Sequence, residues 1–197
     1  LKYQAPPQRA EPLFTRGRER EMSASSSAAV TLPADSNQAL GIAQYALDFI
    51  GGKFGESINA EVWEKAEMFH TDSVMCGISA IAMKTNAPCI LRDEALTYPD
   101  ASGAKPFGSS KKCAPEKAVV ANAAAVREWD SNGTVFGYNP NIPGHTAGEF
   151  GHNDFYPVVI AAAQVTGKVD GKTALRAMIC IDEIRGRLAE VFSLKSY

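Results

Sequence analysis

The chain has 197 residues, 45% hydrophobic and 21% charged, with 20 basic against 22 acidic side chains. That is enough apolar material for one domain with its own core, and the absence of a basic excess argues against a nucleic-acid binder. No apolar run reaches the roughly 18 residues of a membrane span; the richest, Phe155 to Val165, is shorter and contains Gln164.

Residues 1–34 read as an arm. Lys2, Arg9, Arg16, Arg18 and Arg20 against Glu11 and Glu19 leave residues 1–20 at +3, with no apolar core of a secretory signal. Two readings stand together: the remnant of an organelle transit peptide, or a disordered proline-containing arm. Ser23 to Ala29 has linker composition.

The organised part runs over 35–197. Asp35 and Ser36 are candidate N-caps for a helix whose apolar stripe is Leu40, Ala43, Leu47 and Ile50, stopped by Gly51-Gly52. A longer helix opens at Asn59 with Val62, Ala66, Phe69, Cys76, Ala80 and Met83 at helical spacing, and closes at Asn86-Ala87-Pro88. His70 falls inside it and reads as a structural histidine. Residues 88–112 read as irregular, with a short extended piece at Cys89 to Tyr98. Pro115 opens a third helix through Ala118, Ala121, Ala125, Val126 and Trp129. Further helices start near Pro157, ending at Gly167, and at Asp170. No strand of useful length and no internal repeat is evident, so the fold class is all-α, mostly helical.

Four cysteines, at 76, 89, 113 and 180, form no CxxC pair. Their spacing supports neither a zinc knuckle nor an iron–sulfur site, and reduced, scattered thiols are the expectation.

The chemistry concentrates between the third helix and Pro157. Asp130 to Asp154 form a break holding seven glycine or proline residues between Gly133 and Gly151, and every histidine but one. A connection this long inside a compact domain is functional or disordered. The aromatic residues in and beside it, Trp129, Phe136, Tyr138, Phe150, Phe155 and Tyr156, argue for order. Asp130, Thr134, His145, His152 and Asp154 supply groups that handle protons or anions. A carboxylate near a helix C-terminus, as at Asp130, opposes the helix dipole. The plainer reading is that Asp130-Ser131-Asn132-Gly133 is only a helix-ending turn. His145, His152 and Asp154 do not match a known zinc spacing.

Ala118 to Ala163 resembles the MmgE/PrpD family, and within it the eukaryotic and fungal type. The family's D-F-N/D-D-T-like element is matched by Asp130-Ser131-Asn132-Gly133-Thr134, and its G-H element by Gly151-His152-Asn153-Asp154. Asp72 and Gly77 match an Asp-x-x-x-x-Gly spacing of an earlier helix. The resemblance covers residue 37 to the C-terminus. It implies a large helical domain accompanied by a smaller α/β lid domain, the lid being absent from this chain. It implies 2-methylcitrate dehydratase activity within propionate breakdown, or cis-aconitate decarboxylase activity. Both work on tricarboxylates with neither metal nor cofactor. By the same resemblance Asp130 and His152 are catalytic, and Thr134, Asn132 and His145 hold substrate. The partners implied are a small tricarboxylate, a second copy in a homodimer, and the C-terminal half or a complementary chain supplying the remaining site residues. Family chains are much longer than this one, so a non-catalytic subunit of a mitochondrial assembly is the reading from another class. The expected location is the mitochondrial matrix.

Overall fold

The structure is a computed structural model and describes residues 33–54, 58–131, 140–141, 143 and 152–191, with the backbone alone for His152 and Val191. The arm assigned to residues 1–34 lies, but for its last two residues, outside the described residues. The helices belong to one unit, Leu32–Tyr197. Its described part holds six α-helices and one short strand, the mostly helical architecture expected: α1 (Gln38–Ile50), α2 (Ala60–Ala82), α3 (Asn86–Ala95), β1 (Pro99–Ala104), α4 (Pro115–Arg127), α5 (Tyr156–Thr166) and α6 (Gly171–Val191). A 3-10 turn, His152–Phe155, leads directly into α5.

α4 is the central element. It packs on α2, α3 and α5, while α1 and α2 pack on α6. Its buried face is Ala118, Ala121, Asn122, Ala125 and Val126. Alanines there leave little side chain between helix axes. The facing surface of α2 is equally small: Ala66, Ser73, Gly77 and Ala80 are its buried residues. A second core gathers Phe49, Tyr45 and Phe54 against Trp63, Ile179 and Cys180, tying α1 to α2 and α6. A third joins α5 to α6 through Tyr156, Val159 and Met178.

Helix ends follow their local chemistry. The cap of α1 is Asn37, one residue beyond the expected pair; its side chain accepts from the N–H groups of Ala39 and Leu40. Asp170 caps α6, its carboxylate accepting from Thr173 N at 2.7 Å. α5 stops at Gly167, where φ is +63°, the left-handed conformation that ends a helix without steric penalty in glycine.

Two expectations are corrected. Cys89 to Tyr98 is not extended; residues 86–95 form α3. α2 ends earlier than expected, at Ala82, with Lys84 at φ +55°, and Pro88 sits in the first turn of α3, where N–H groups have no intrahelical partner, so it does not prevent α3 from starting. The stripe assigned to α1 is also turned outward. Leu40 and Leu47 are 69% and 68% exposed, and the buried side is Phe49 with Tyr45 and Ala46. Aromatic rings fill more space than leucines, and the face carrying them is the one that packs. The strand β1 is a local feature, bridged through Pro99 and Ala104 to Cys113 rather than joined to a sheet.

Candidate functional site

The break opens at the C-terminal end of α4. Asp130 has a φ of +47°, one of two non-glycine residues at positive φ among those described. Asp and Asn are the non-glycine residues that visit this region most readily. Its backbone N–H donates to Arg127 O at 3.0 Å, and its carboxylate pairs with the Arg127 guanidinium at 3.2 Å. Both side chains are exposed, so the pair orients the carboxylate more than it stabilises the fold. A guanidinium in the last helical turn also offsets the dipole that the Asp130 carboxylate opposes.

Ser131, the next residue, reaches α2. Burial and then the Asp72 carboxylate raise the Cys76 thiol above its ordinary pKa, and a hydrogen bond with the Ser131 side chain acts the other way. The net upward direction keeps Cys76 a neutral thiol at neutral pH, which disfavours it as a nucleophile.

The break closes at the 3-10 turn, also against α2. Ser73 Oγ donates to the carbonyl of Asn153 at 3.2 Å, in a buried setting. Ser73 and Cys76 stand three residues apart and so lie on adjacent turns of one helix face. The His152-Asn153 end of the break is therefore moored to α2 by Ser73, and the Ser131 side chain at its other end lies beside Cys76 on the same stretch of that helix. Thr134, Asn132 and His145 lie outside the described residues.

The turn is held from its other flank by α6. Tyr156, fully buried, donates its hydroxyl to Asp182 Oδ2 at 2.5 Å. Burial raises the Asp182 carboxyl to about 6, against the opposing hydrogen bond from Tyr156 and the charge of Arg185. The same burial, with the Asp182 charge and the hydrogen bond to it, drives the Tyr156 phenol far above its ordinary value, so it stays a donor at all working pH. The Arg185 guanidinium lies 3.7 Å from the Phe155 ring centroid. His70 meets the Tyr156 ring edge-on, centroids 6.4 Å apart, and burial lowers its pKa. A neutral imidazole packed on a tyrosine is the structural role expected for it.

Sequence reasoning missed Ser73, Tyr156, Asp182 and Arg185. The available signal was on α6: Asp182 and Arg185 continue the helical spacing of Met178 and Ile179, so two charges fall on an otherwise apolar face. Among the described residues, no group of three or more His, Cys, Asp or Glu side chains is placed to hold a metal ion. No single helix among them is long and apolar enough to cross a membrane.

The family model described as the MmgE/PrpD N-terminal domain matches residues 42–197. No curated protein and no solved structure matches the chain.

Proposed function

Because the chain belongs to the MmgE/PrpD family, we propose that it serves a hydro-lyase that dehydrates 2-methylcitrate to 2-methyl-cis-aconitate and water. The observation that supports this reading is the mooring of the histidine-bearing turn on α2, through Ser73 at Asn153, beside the stretch of α2 where Cys76 lies near Ser131. The reading takes the aspartate at one end of the break and the histidine at the other as the two groups that the reaction requires.

The elimination needs two proton-transfer groups. One removes the proton from the carbon next to the hydroxyl-bearing carbon, and the C–H electron pair becomes the new C=C bond. The C–O bond breaks, and the departing hydroxide takes a proton from the second group and leaves as water. Asp130 and His152 are assigned as that pair. Each positioned acid or base contributes roughly 10²–10⁴-fold. Asn132, Thr134 and His145 hold the carboxylates and the leaving hydroxyl. Arg127, already fixed beside Asp130, supplies one cation for a triply charged substrate. The rest of the positive charge, and the lid, are assigned to a C-terminal half or a complementary chain. The working form is assigned as a homodimer in the mitochondrial matrix.

The test is His152→Ala in the complete enzyme. Turnover of 2-methylcitrate should fall by about 100-fold or more; near-normal turnover removes His152 from the mechanism. Parallel assays with cis-aconitate separate a dehydratase from a decarboxylase. Absence of turnover on either acid by the intact protein favours the non-catalytic subunit.

A further inference from the structure

We propose that α6 positions the proton-transfer turn: Asp182 and Arg185, three residues apart on one helix face, grip Tyr156 and Phe155 and so set where His152 stands. This rests on the assignment of His152 as a proton-transfer group.

His152–Phe155 and Tyr156–Thr166 are one uninterrupted helical run. Fixing Phe155 and Tyr156 therefore fixes the direction in which the backbone of His152 leaves it. Both grips come from α6: the hydroxyl of the fully buried Tyr156 on Asp182 Oδ2 at 2.5 Å, and the Arg185 guanidinium over the Phe155 ring at 3.7 Å. Ser73 of α2 holds the Asn153 carbonyl between them and His152. The turn is thus clamped on two sides, one residue and three to four residues beyond the histidine.

Stability alone does not account for Asp182. Its second oxygen, Oδ1, is buried with no hydrogen-bond partner. Placing a carboxyl there with one oxygen unmatched is a liability, and apolar side chains of similar volume commonly serve a core as well or better. What an apolar contact does not provide is direction. A single short hydrogen bond fixes the rotation of the Tyr156 ring and the register of α5 against α6, whereas a methyl contact tolerates sliding. Catalysis is sensitive to that difference, since a misplacement of about 1 Å in a reacting group lowers the rate by as much as about 100-fold.

The experiment compares Asp182→Ala with Asp182→Asn in the complete enzyme. Asn keeps an acceptor for the Tyr156 hydroxyl and Ala does not. Asp182→Ala should lower kcat by about 10- to 100-fold per folded molecule with KM within about threefold. Asp182→Asn should restore kcat to within about threefold of wild type. Wild-type kcat in Asp182→Ala overturns the proposal. So does a loss that follows KM or the folded fraction alone, or an Asn variant as slow as the Ala variant. Should Asp182→Ala fail to fold, Phe155→Leu replaces a half-exposed ring and removes the Arg185 contact. It should lower kcat by about three- to tenfold at unchanged KM, and an unchanged kcat overturns the proposal by that route.

Two controls keep the failures apart. If His152→Ala retains turnover, the functional assignment falls. If His152→Ala is inactive while Asp182→Ala and Phe155→Leu turn over normally, only the positioning role falls. The imidazole NMR signal of His152 reports placement without any substrate. Asp182→Ala should shift or broaden it and Asp182→Asn should not; identical spectra count against the clamp.

Discussion

Asp130 invites the cleanest separation of a turn residue from a chemical one. Replace it with Asn. The backbone φ of +47° is one that Asn adopts as readily as Asp, so the substitution adds no steric penalty. Two electrostatic effects disappear together. The exposed pair with Arg127 at 3.2 Å contributes no more than about 0.2–1 kcal/mol. The unfavourable carboxylate at the end of α4 opposes it by about 0.3–1 kcal/mol. The two have opposite signs and similar size, so stability should change by less than about 0.5 kcal/mol. For a domain of this size that moves Tm by no more than about 2 °C. A proton-transfer group lost from the site, in contrast, lowers turnover by about 100-fold or more. The assay pairs a melting curve with initial rates followed by the ultraviolet absorbance of the new C=C bond. Turnover within about threefold of wild type at an unchanged Tm would show that Asp130-Ser131-Asn132-Gly133 is only a helix-ending turn, and the assignment of Asp130 would be withdrawn.

Two further outcomes are expected. The Asp182 carboxyl, raised by burial to about 6 from 3.8, favours folding while protonated. Its contribution is complete below its unfolded value and is lost as pH rises through about 6. The difference in unfolding free energy between wild type and Asp182→Asn should therefore shift by about 2 kcal/mol, against wild type, between pH 4 and 7; a pH-independent difference in chemical denaturation would refute it. Gly77→Ala should destabilise, because a Cβ there would lie 2.6 Å from Phe107 Cε2. Overpacking of about 1–3 kcal/mol exceeds the gain of up to about 1 kcal/mol from better helix propensity. Tm should fall by a few degrees, and a rise would refute the contact.

Helix positions were legible in the sequence wherever a chain stop is chemically unambiguous: Gly51-Gly52 after α1, Pro115 at the start of α4, and Gly167 after α5. Helix faces were not always legible. Leu40, Ala43, Leu47 and Ile50 repeat at helical spacing as well as Tyr45, Ala46 and Phe49 do, and periodicity does not state which of two apolar stripes a neighbour covers. Only the aromatic cluster with Phe54 and Trp63 decides it. The same limit explains α3. Pro88 carries one steric rule, which disfavours helix before it, and tertiary packing of Leu91 and Ala95 against α4 decides the conformation of the residues after it. For the candidate site, the family resemblance singles out Asp130 and His152. The clamp was not, because Ser73 is 80 positions from Asn153 and Asp182 is 26 from Tyr156. Pairings of that range leave no local pattern.

The small residues on α2 connect fold to site. Ser73, Gly77 and Ala80 face inward at spacings of four and three, and α4 meets them with Ala121 and Ala125 among its buried residues. Side chains this short let the helices approach closely, and close approach is what allows a hydroxyl as short as that of Ser73 to reach the Asn153 carbonyl. Gly77 makes room for Phe107, whose N–H is in turn held by Asn122 Oδ1 of α4 at 2.7 Å. The separation between the two ends of the break is therefore governed by a seam with no chemistry of its own. A larger side chain anywhere along that seam forces α2 and α4 apart. It moves the Asp130 end, carried by α4, relative to the His152 end, moored at Ser73. The tightness of the alanine and glycine packing and the geometry of the proposed Asp130–His152 pair are on this account one property, set by the width of a few missing methyl groups.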